Sequence, residues 1–278
     1  MSQTKHQIQE LLAAIDAEPR KRFGQNFMID QNLVRVVAEA GMILPQDVVI
    51  EVGPGTGTLT EELLARAGKV IAIEIDRDLA KLLRERFGAN EKFELIEGDA
   101  LAGKHELNEV MHTRITAVPR TARFKLVANL PYNIASPLVI EMLIAGVDLL
   151  AFTVQKEVAD RLRATVNDDA YGPLSVVAQM LSRVEVLRTL PPQVFWPAPK
   201  IESALVRMTR ENRLGERATD FSKFVHEIFG FRRKTLRKGI SLAGHDVKLL
   251  EKCGIDPQLR PENLTPEQFL QLFAAAGK

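Results

Sequence analysis

The sequence Asn129-Leu130-Pro131-Tyr132 contains the residues that are best suited to chemistry. It follows a short apolar run, and its proline removes a backbone donor and biases the preceding residue towards an extended conformation. Such a turn leaves carbonyl groups unpaired at a strand end, beside the Asn129 side-chain oxygen and the Tyr132 ring. These acceptors can bind both hydrogens of an exocyclic amine while the ring stacks on a base. The 6-amino group of adenine fits this arrangement, although the four residues alone also fit an ordinary strand-to-helix turn.

The segments around this turn alternate between predicted strands and predicted helices. Apolar runs predict strands at residues 48–52, 69–75, 93–96, 126–128 and 204–208. Apolar periodicity and capping residues predict helices at residues 7–17, 31–40, 59–67 and 78–87, and residues 20–29 are predicted to form a loop. This alternation is typical of an α/β fold with a doubly wound, mostly parallel sheet. Ligands of such sheets bind outside the carboxyl ends of the strands.

Four residues lie at or just after the ends of the predicted strands: Gly53, Glu74, Asp99 and Asn129. Because the carboxyl ends of parallel strands meet at one edge of a sheet, we expect these residues to contact one ligand. Glu74 could bind both hydroxyl groups of a ribose, and Asp99 could accept a hydrogen bond from an adenine amine. The four positions therefore predict a site for a nucleoside-like cofactor.

The glycine loop narrows the choice of cofactor. Glycines at positions 53, 55 and 57 allow a ligand to approach the backbone closely and allow the turn into a helix. The loop has Thr58 where a dinucleotide-binding loop has Gly or Ala, and Pro54 stiffens the place that a pyrophosphate needs. A nicotinamide-dependent dehydrogenase, which the strand ends alone would also fit, is therefore disfavoured.

The composition excludes several classes of protein. With 278 residues, of which 46% are hydrophobic and 26% charged, the chain can form one large domain and a smaller one. No apolar run approaches the roughly 18 residues of a membrane span, and the N-terminal segment is charged and amphipathic rather than a signal peptide. The single cysteine, Cys253, is expected to be a buried small hydrophobe, and the five histidines have no ligand spacing. We therefore expect a cytoplasmic protein without a metal site.

Positive charge is concentrated in two segments, although the net charge is only +1. Residues 200–240 contain 11 Lys or Arg against 5 Asp or Glu, and Arg20, Lys21 and Arg22 form a second cluster. Both segments could bind nucleic-acid phosphates or could be ordinary solvated surface. Composition alone favours the second interpretation.

A polar stretch at residues 211–216 predicts a boundary between two domains, 1–212 and 213–278. Beyond this boundary the sequence predicts three or four short helices. The last of them has Thr265 as N-cap, Pro266 at its first position and Gln268 completing a capping box. Four residues at helical spacing are expected to form the core of this domain: Phe221, Phe224, Val225 and Ile228.

The chain also carries a set of motifs that resembles a known class of enzyme. Residues 51–60, 74–76, 98–100 and 129–132 are similar to motifs of class I S-adenosylmethionine-dependent methyltransferases. Nearly the whole chain resembles the ribosomal RNA adenine dimethyltransferases of the kasugamycin-resistance type, through the further segments 22–27, 155–161, 171–176, 194–203 and 231–236. The resemblance implies a Rossmann-like catalytic domain and a small all-helical C-terminal domain.

The same resemblance implies roles for individual residues. The S-adenosylmethionine site would be lined by Asn26, the backbone of Met28, Gly53, Glu74, Asp99 and Asn129. The target adenine would be held by Asn129, Leu130 and Pro131 and clamped by Tyr132 and Phe195. The implied reaction is dimethylation of the 6-amino groups of two adjacent adenines in small-subunit ribosomal RNA, within a pre-ribosomal subunit, by a monomer that uses no metal.

Two alternatives and two departures from the family pattern accompany this resemblance. The large-subunit adenine methyltransferases of antibiotic resistance share the core motifs, and a non-catalytic ribosome-assembly factor could retain the fold. The Phe231-Arg-Arg-Lys run favours the small-subunit enzyme.

Met28 replaces a more usual Leu of the family, and this substitution conserves side-chain volume. The connection 103–123 is longer than usual, and only a surface loop is predicted for its basic residues His105, His112, Arg114, Arg120 and Arg123.

Overall fold

The computed structural model describes residues 3–103, 106–117 and 122–277. His105 and Arg120 of the long connection therefore lie outside the described residues. The strands are β1 (Phe27–Met28), β2 (Val48–Val52), β3 (Lys69–Glu74), β4 (Phe93–Glu97), β5 (Leu101–Gly103), β6 (Glu106–Leu107), β7 (Phe124–Asn129), β8 (Leu149–Gln155), β9 (Ser182–Leu190), β10 (Phe195–Trp196) and β11 (Ser203–Arg210). The helices are α1 (Lys5–Ala14), α2 (Gln31–Ala40), α3 (Thr58–Leu64), α4 (Arg77–Phe87), α5 (Glu109–Thr116), α6 (Ala135–Ala145), α7 (Lys156–Arg163), α8 (Pro173–Leu181), α9 (Ala218–Phe229), α10 (Leu236–Leu242), α11 (Lys248–Lys252) and α12 (Pro266–Ala275).

Seven of these strands form one sheet in the order β4-β3-β2-β7-β8-β11-β9. The neighbours from β4 to β8 run parallel, and β11 runs antiparallel to β8. The central strands β2, β3, β7 and β8 are nearly continuous apolar runs, which is typical of strands that are covered on both faces. The α/β fold with a doubly wound, mostly parallel sheet that the sequence predicts is therefore confirmed.

The parts of the chain predicted as strands are all strands, whereas helix ends and two loops differ. The connection 103–123 is predicted as a surface loop, but it contains β6 and helix α5, which carries His112 and Arg114. Arg114 pairs with Glu94 of β4 at 2.6 Å.

Helix α1 begins at Lys5 because the Thr4 side chain accepts from the Gln7 backbone N–H in a capping box. It ends at Ala14, just before Asp16, which has a positive φ of 52°. The predicted loop at 20–29 contains β1, which pairs with β10. That pairing joins segments far apart in the sequence, so local periodicity could not reveal it.

Helix α2 has the N-cap that the sequence predicts. Asp30 accepts hydrogen bonds from the backbone N–H groups of Asn32 and Leu33 at 2.8 and 3.0 Å. None of the helices in the described ranges combines the length and the apolar character that crossing a bilayer requires.

The chain divides into two compact units. The first consists of Met1–Lys156 and Glu185–Thr209, and the second of Glu157–Val184 and Arg210–Lys278. The second unit therefore takes in a segment that the predicted division at residue 212 leaves in the first domain. Helix α8 of that segment packs against α9, and the Tyr171 hydroxyl donates to the Leu264 carbonyl at 2.8 Å.

Most expectations for the core of the second unit are confirmed. Phe221, Phe224, Val225 and Ile228 are all buried on one face of α9. Thr265 accepts from the Gln268 backbone N–H at 3.2 Å, which completes the predicted capping box at the start of α12. Cys253 is half-buried rather than buried, because it lies at the C-terminal end of the short helix α11.

Candidate active site

The carboxyl ends of the central strands line a cavity of about 910 Å³, a volume that includes its open mouth. Its wall contains six residues for which the sequence predicts a role in cofactor binding: Asn26, Met28, Gly53, Glu74, Asp99 and Asn129. The parallel strands β2, β3 and β7 place Gly53, Glu74 and Asn129 at one edge of the sheet. The structure thus brings these residues together, and their individual roles stay predictions.

The glycine loop forms a narrow part of the cavity wall. Gly53, Gly55 and Gly57 have positive φ angles of 69°, 61° and 85°, which only glycine adopts without strain. A Cβ atom on Gly55 would lie 2.8 Å from Cε1 of Phe27, and one on Gly53 would lie 3.1 Å from Cγ of Pro131. Side chains at these positions would therefore meet Phe27 and Pro131, so the loop and its neighbours pack closely only with glycine there.

Thr58, at the first position of α3, is a cavity residue to which the sequence analysis assigns no contact. Its Oγ1 atom is buried and has no hydrogen-bond partner among the described residues. A buried hydroxyl without a partner costs free energy, so a polar group of a ligand would stabilise it. The carboxylate of an amino acid would supply such an acceptor.

Two buried carboxyl groups lie in the same wall. Glu74 is 4% exposed and accepts from the backbone N–H groups of Asp76 at 2.9 Å and Gly55 at 3.2 Å. Burial raises the pKa of Glu74 to about 7 in spite of these hydrogen bonds. Glu51 is 1% exposed and accepts from the Thr60 hydroxyl at 2.6 Å. Burial raises its pKa to about 8, and the charge of Glu74 adds to the shift. A ligand with hydroxyl donors and a positive charge would stabilise both carboxylates.

Ile75 and Asp99 line the cavity next to Glu74 and Gly98, after the ends of β3 and β4. Asp99 is exposed, and its Oδ1 accepts from the Leu101 backbone N–H at 3.0 Å, so its second oxygen stays open to an amine. Ile75 is 43% exposed and lines the cavity. The sequence analysis missed Ile75, although an apolar residue directly after a strand-end carboxylate was the available signal. Together the two residues present an apolar face beside a hydrogen-bond acceptor, which suits a purine.

Asn129, the last residue of β7, has both ends of its side chain in hydrogen bonds. Its Nδ2 donates to the Asn26 carbonyl at 2.7 Å. Its Oδ1 accepts from the hydroxyl of Thr153 on the neighbouring strand β8. The Asn26 side chain in turn donates to the Gly24 carbonyl at 3.1 Å. The amide of Asn129 is therefore held with a known orientation next to the cavity.

The turn that follows Asn129 is ordered by both backbone and side-chain contacts. The Leu130 N–H donates to the Thr153 carbonyl at 3.3 Å, and the Ile134 N–H donates to the Pro131 carbonyl at 3.2 Å. The half-buried Tyr132 hydroxyl lies 2.7 Å from the Ser203 hydroxyl. Since the Pro131 carbonyl already accepts a bond, the Leu130 carbonyl is the better acceptor for an additional donor.

Phe195 does not present a ring face to the cavity. It is 2% exposed and packs in the core beside Met28, with which it pairs between β10 and β1. Its predicted stacking on a target base therefore requires this packing to open, and the role stays a prediction. The neighbouring Trp196 stacks on Phe27, with ring centroids 6.3 Å apart.

The N-terminal segment covers the outer side of the glycine loop. The Gln3 side chain donates to the Thr56 carbonyl at 3.1 Å and accepts from the Thr56 hydroxyl at 2.7 Å. Ile8 and Leu12 of α1 pack in one cluster with Phe27 and Leu79, which also line the cavity. The segment before β1 is therefore part of the support of the site.

Arg20 belongs to this support rather than to a basic surface. Its guanidinium pairs with Asp76 at 2.6 Å and with Asp78 at 2.5 Å. Gln25 also donates to Asp76, at 3.0 Å. Of the cluster Arg20-Lys21-Arg22, only Lys21 and Arg22 are exposed.

The fold and the cavity together define a class of protein. The glycine loop in the cavity wall, the Thr58 hydroxyl without a partner among the described residues and the buried carboxyl groups fit the nucleoside and the charged amino-acid end of S-adenosylmethionine. The Asn129 turn at the next strand end fits an amine acceptor. This combination is that of a Rossmann-like, S-adenosylmethionine-dependent methyltransferase.

The comparison with known proteins gives the family. The family model described as ribosomal RNA adenine dimethylase matches residues 17–278. Proteins described as ribosomal RNA small subunit methyltransferase A are similar over most of their length. That from Hahella chejuensis is 41% identical over 93% of this chain and 93% of its own, and that from Clostridium perfringens is 37% identical over 97% and 94%. The chain belongs to the ribosomal RNA adenine dimethylase family.

Solved structures of related enzymes share the fold. A dimethyladenosine transferase from Plasmodium falciparum superposes with a TM-score of 0.69 at 25% identity, over 89% of this chain and 97% of its own. The 23S rRNA methyltransferase ErmE superposes with a TM-score of 0.62 at 27% identity, over 91% and 100%. Both the small-subunit and the large-subunit alternatives are thus represented among similar proteins.

Proposed function

We propose that the protein transfers methyl groups from S-adenosylmethionine to the 6-amino groups of two adjacent adenines in small-subunit (16S) ribosomal RNA, and acts as a cytoplasmic monomer on a pre-ribosomal subunit. The observation that carries the proposal is the orientation of the Asn129 amide, whose oxygen is kept as an acceptor at the cavity by bonds to Asn26 and Thr153. An amine bound there lies beside the wall that suits the methyl donor.

Each part of the cavity wall has a task in holding the donor. Glu74 would accept from the ribose hydroxyls, and Asp99 and Ile75 would contact the adenine. Thr58 and Glu51 would face the carboxylate and the ammonium of the amino-acid end. When bound, S-adenosylmethionine supplies an activated methyl group on a positively charged sulfur. The residues therefore need to align the reactants rather than activate the donor.

The Asn129 turn would hold the acceptor amine. In the first transfer, Asn129 Oδ1 and the Leu130 carbonyl would accept the two hydrogens of the amine, which directs the nitrogen lone pair away from them and towards the methyl donor. In the second transfer the methylated amine has one hydrogen left, so one of the two acceptors would hold it. Each contact gains strength as the nitrogen becomes positive during the attack, so it stabilises the transition state more than the ground state. The proton released afterwards leaves to water. No histidine, cysteine or metal is required.

Stacking would place the adenine in the site. The target base has to leave its stack, which costs a few kcal/mol and least for an unpaired loop base. Tyr132 follows the amine-binding residues directly, so its ring would supply the stacking face. Phe195 would be the second face if its packing opens.

The small-subunit substrate is favoured over the large-subunit one by the degree of similarity. Relatives named for the small subunit reach 37–41% identity, whereas ErmE reaches 27%. A role only in assembly is disfavoured because the sequence Asn129-Leu130-Pro131-Tyr132 is intact and hydrogen-bonded, and Asn129 and Pro131 line the cavity.

The test is methylation of ribosomal subunits from cells that lack this methyltransferase. Small and large subunits are incubated with the protein and labelled S-adenosylmethionine, and dimethyladenine is mapped by mass spectrometry. We expect two adjacent dimethylated adenines in small-subunit RNA, and loss of turnover with retained RNA binding in Asn129→Ala. Methylation of large-subunit RNA instead would support the alternative enzyme, and absence of methylation on both subunits would support an assembly factor.

A further inference from the structure

Thr153 interrupts the apolar run of β8 at the position next to Asn129. The parallel pairing of β7 and β8 places Asn129 and Thr153 in register. Thr153 is 0% exposed, and its neighbours Phe152 and Val154 are buried hydrophobic residues. A valine would have the same shape and the same preference for a strand. A buried hydroxyl at this place therefore calls for a partner, and its partner is Asn129 Oδ1.

Thr153 forms two hydrogen bonds with the turn at residues 129–132, which is proposed to bind the target amine. Its hydroxyl donates to Asn129 Oδ1, and its backbone carbonyl accepts from the Leu130 N–H at 3.3 Å. The two acceptors expected to hold the target amine are Asn129 Oδ1 and the Leu130 carbonyl. One buried residue thus bonds to both residues that carry these acceptors, directly to the acceptor oxygen in Asn129 and to the backbone N–H in Leu130.

The hydrogen bonds of the Asn129 amide specify its orientation. The Asn26 carbonyl can only accept, so it requires the NH₂ group of Asn129 on its side. The Thr153 hydroxyl then donates to the oxygen on the other side, which uses one lone pair and leaves one for a ligand. Without this second bond the amide is held only at its NH₂ end. Its oxygen can then leave the position from which it accepts a hydrogen bond from the target amine.

We propose that Thr153 is a positioning residue for methyl transfer, which fixes Asn129 Oδ1 for the target amine without contacting either substrate. This inference rests on the proposed function, because it assumes that Asn129 binds the amine. It adds to that function a residue on a strand that supplies no wall of the cofactor cavity.

The test compares Thr153→Val with Thr153→Ser. The valine removes the hydroxyl and keeps the shape, whereas the serine keeps the hydroxyl. We expect the single-turnover methylation rate of Thr153→Val, at saturating RNA and S-adenosylmethionine, to fall on the order of 10-fold, with unchanged dissociation constants for both. Thr153→Ser should recover most of the rate.

The control is Ser182→Ala, which removes another buried hydroxyl bond, from Ser182 to the Ala178 carbonyl at 2.9 Å. It should lower the melting temperature and leave the rate per bound cofactor unchanged. To exclude unfolding, every rate is divided by the fraction of protein that binds S-adenosylmethionine. The proposal is overturned if Thr153→Val retains the wild-type rate, or if serine restores no more than valine does. Lack of adenine methylation by the wild-type protein would instead overturn the proposed function.

Discussion

The Tyr132 hydroxyl contacts Ser203, and the ring is proposed to stack on the target base, so substitutions can separate the effects of the two groups. Tyr132→Phe removes the bond to Ser203, which costs about 1 kcal/mol of stability, and keeps the ring. It should retain most of the methylation rate. Tyr132→Ala also removes the proposed stacking face, and base stacking on an aromatic ring contributes about 1–3 kcal/mol per base, so this variant should lose much of the rate. Single-turnover methylation and denaturant unfolding measure both effects. If Tyr132→Phe is as inactive as Tyr132→Ala, methylation requires the hydroxyl rather than the ring, and the proposed stacking role is wrong.

If Glu74 binds the ribose as proposed, its raised pKa should make cofactor affinity depend on pH. A carboxylate accepts two ribose hydroxyls more strongly than a neutral carboxylic acid does, so binding should favour the charged form and weaken as the pH falls below about 7. The stability of the free protein changes in the opposite sense. A carboxyl whose pKa is higher in the folded protein stabilises the fold at low pH, and this contribution is lost as the pH rises through about 7.

Calorimetry between about pH 6 and pH 8 tests this dependence. Glu74→Gln should remove the change in affinity near pH 7, and Glu74→Ala should weaken binding by about 1.5–3 kcal/mol, the range for hydrogen bonds to charged groups. Glu141→Gln is the matched control, because the pKa of Glu141 is also raised to about 7 by burial and Glu141 does not line the cavity. It should leave the change near pH 7 in place. Unchanged affinity in Glu74→Ala would contradict the assignment of Glu74.

The sequence predicts a site residue when its position follows from the neighbouring residues. It does not predict a site residue whose position depends on the pairing of distant segments. Gly53, Glu74 and Asn129 follow apolar runs directly, so their positions at strand ends could be predicted. Thr153 lies inside an apolar run, and only the register of two strands places it beside Asn129. The burial of Phe195 likewise depends on its pairing with Met28 across the chain.

At the scale of elements, the sheet was predictable and the N-terminal support of the site was not. Each central strand is an apolar run of its own, which explains why β2 has the predicted bounds. The strand β1 has only two residues and is defined by its partner β10. Helix α1 was predicted as an amphipathic segment, but its position against Phe27 and Leu79 is a tertiary contact.

Gln3 should therefore affect cofactor binding although it is not a predicted cofactor ligand. Gln3→Ala removes both hydrogen bonds to Thr56 in the glycine loop, and we expect S-adenosylmethionine affinity to fall by about 1–2 kcal/mol. Gln9→Ala, on the exposed side of α1, is the matched control and should bind normally. Equal affinities of the two variants, measured by calorimetry, would show that the segment does not support the loop.

At the scale of the whole molecule, the basic segment 200–240 is less uniform than its composition indicates. Arg207 pairs with Glu185 at 3.0 Å, and Arg213 pairs with Glu211 at 3.3 Å and Glu267 at 3.4 Å. Arg232 lies 3.8 Å from Glu262. The exposed residues Arg233, Lys234, Arg237 and Lys238 are better candidates for phosphate contacts. Counting charges in the sequence cannot distinguish these two groups, because most of the partners lie elsewhere in the chain.

Reversing Arg233 and Lys234 to Glu should therefore weaken RNA binding and spare cofactor binding. Each lost phosphate contact also reduces the slope of log affinity against log salt by about 0.7–0.9, so the salt dependence should become shallower. Lys248→Glu with Lys252→Glu is the matched control, since it changes the net charge equally on exposed residues of α11. Filter binding to small-subunit RNA at several salt concentrations, with calorimetry for S-adenosylmethionine, gives both affinities. If cofactor affinity falls as well, the segment is structural; if the control pair weakens RNA binding equally, only net charge matters and no phosphate site lies at Arg233 and Lys234.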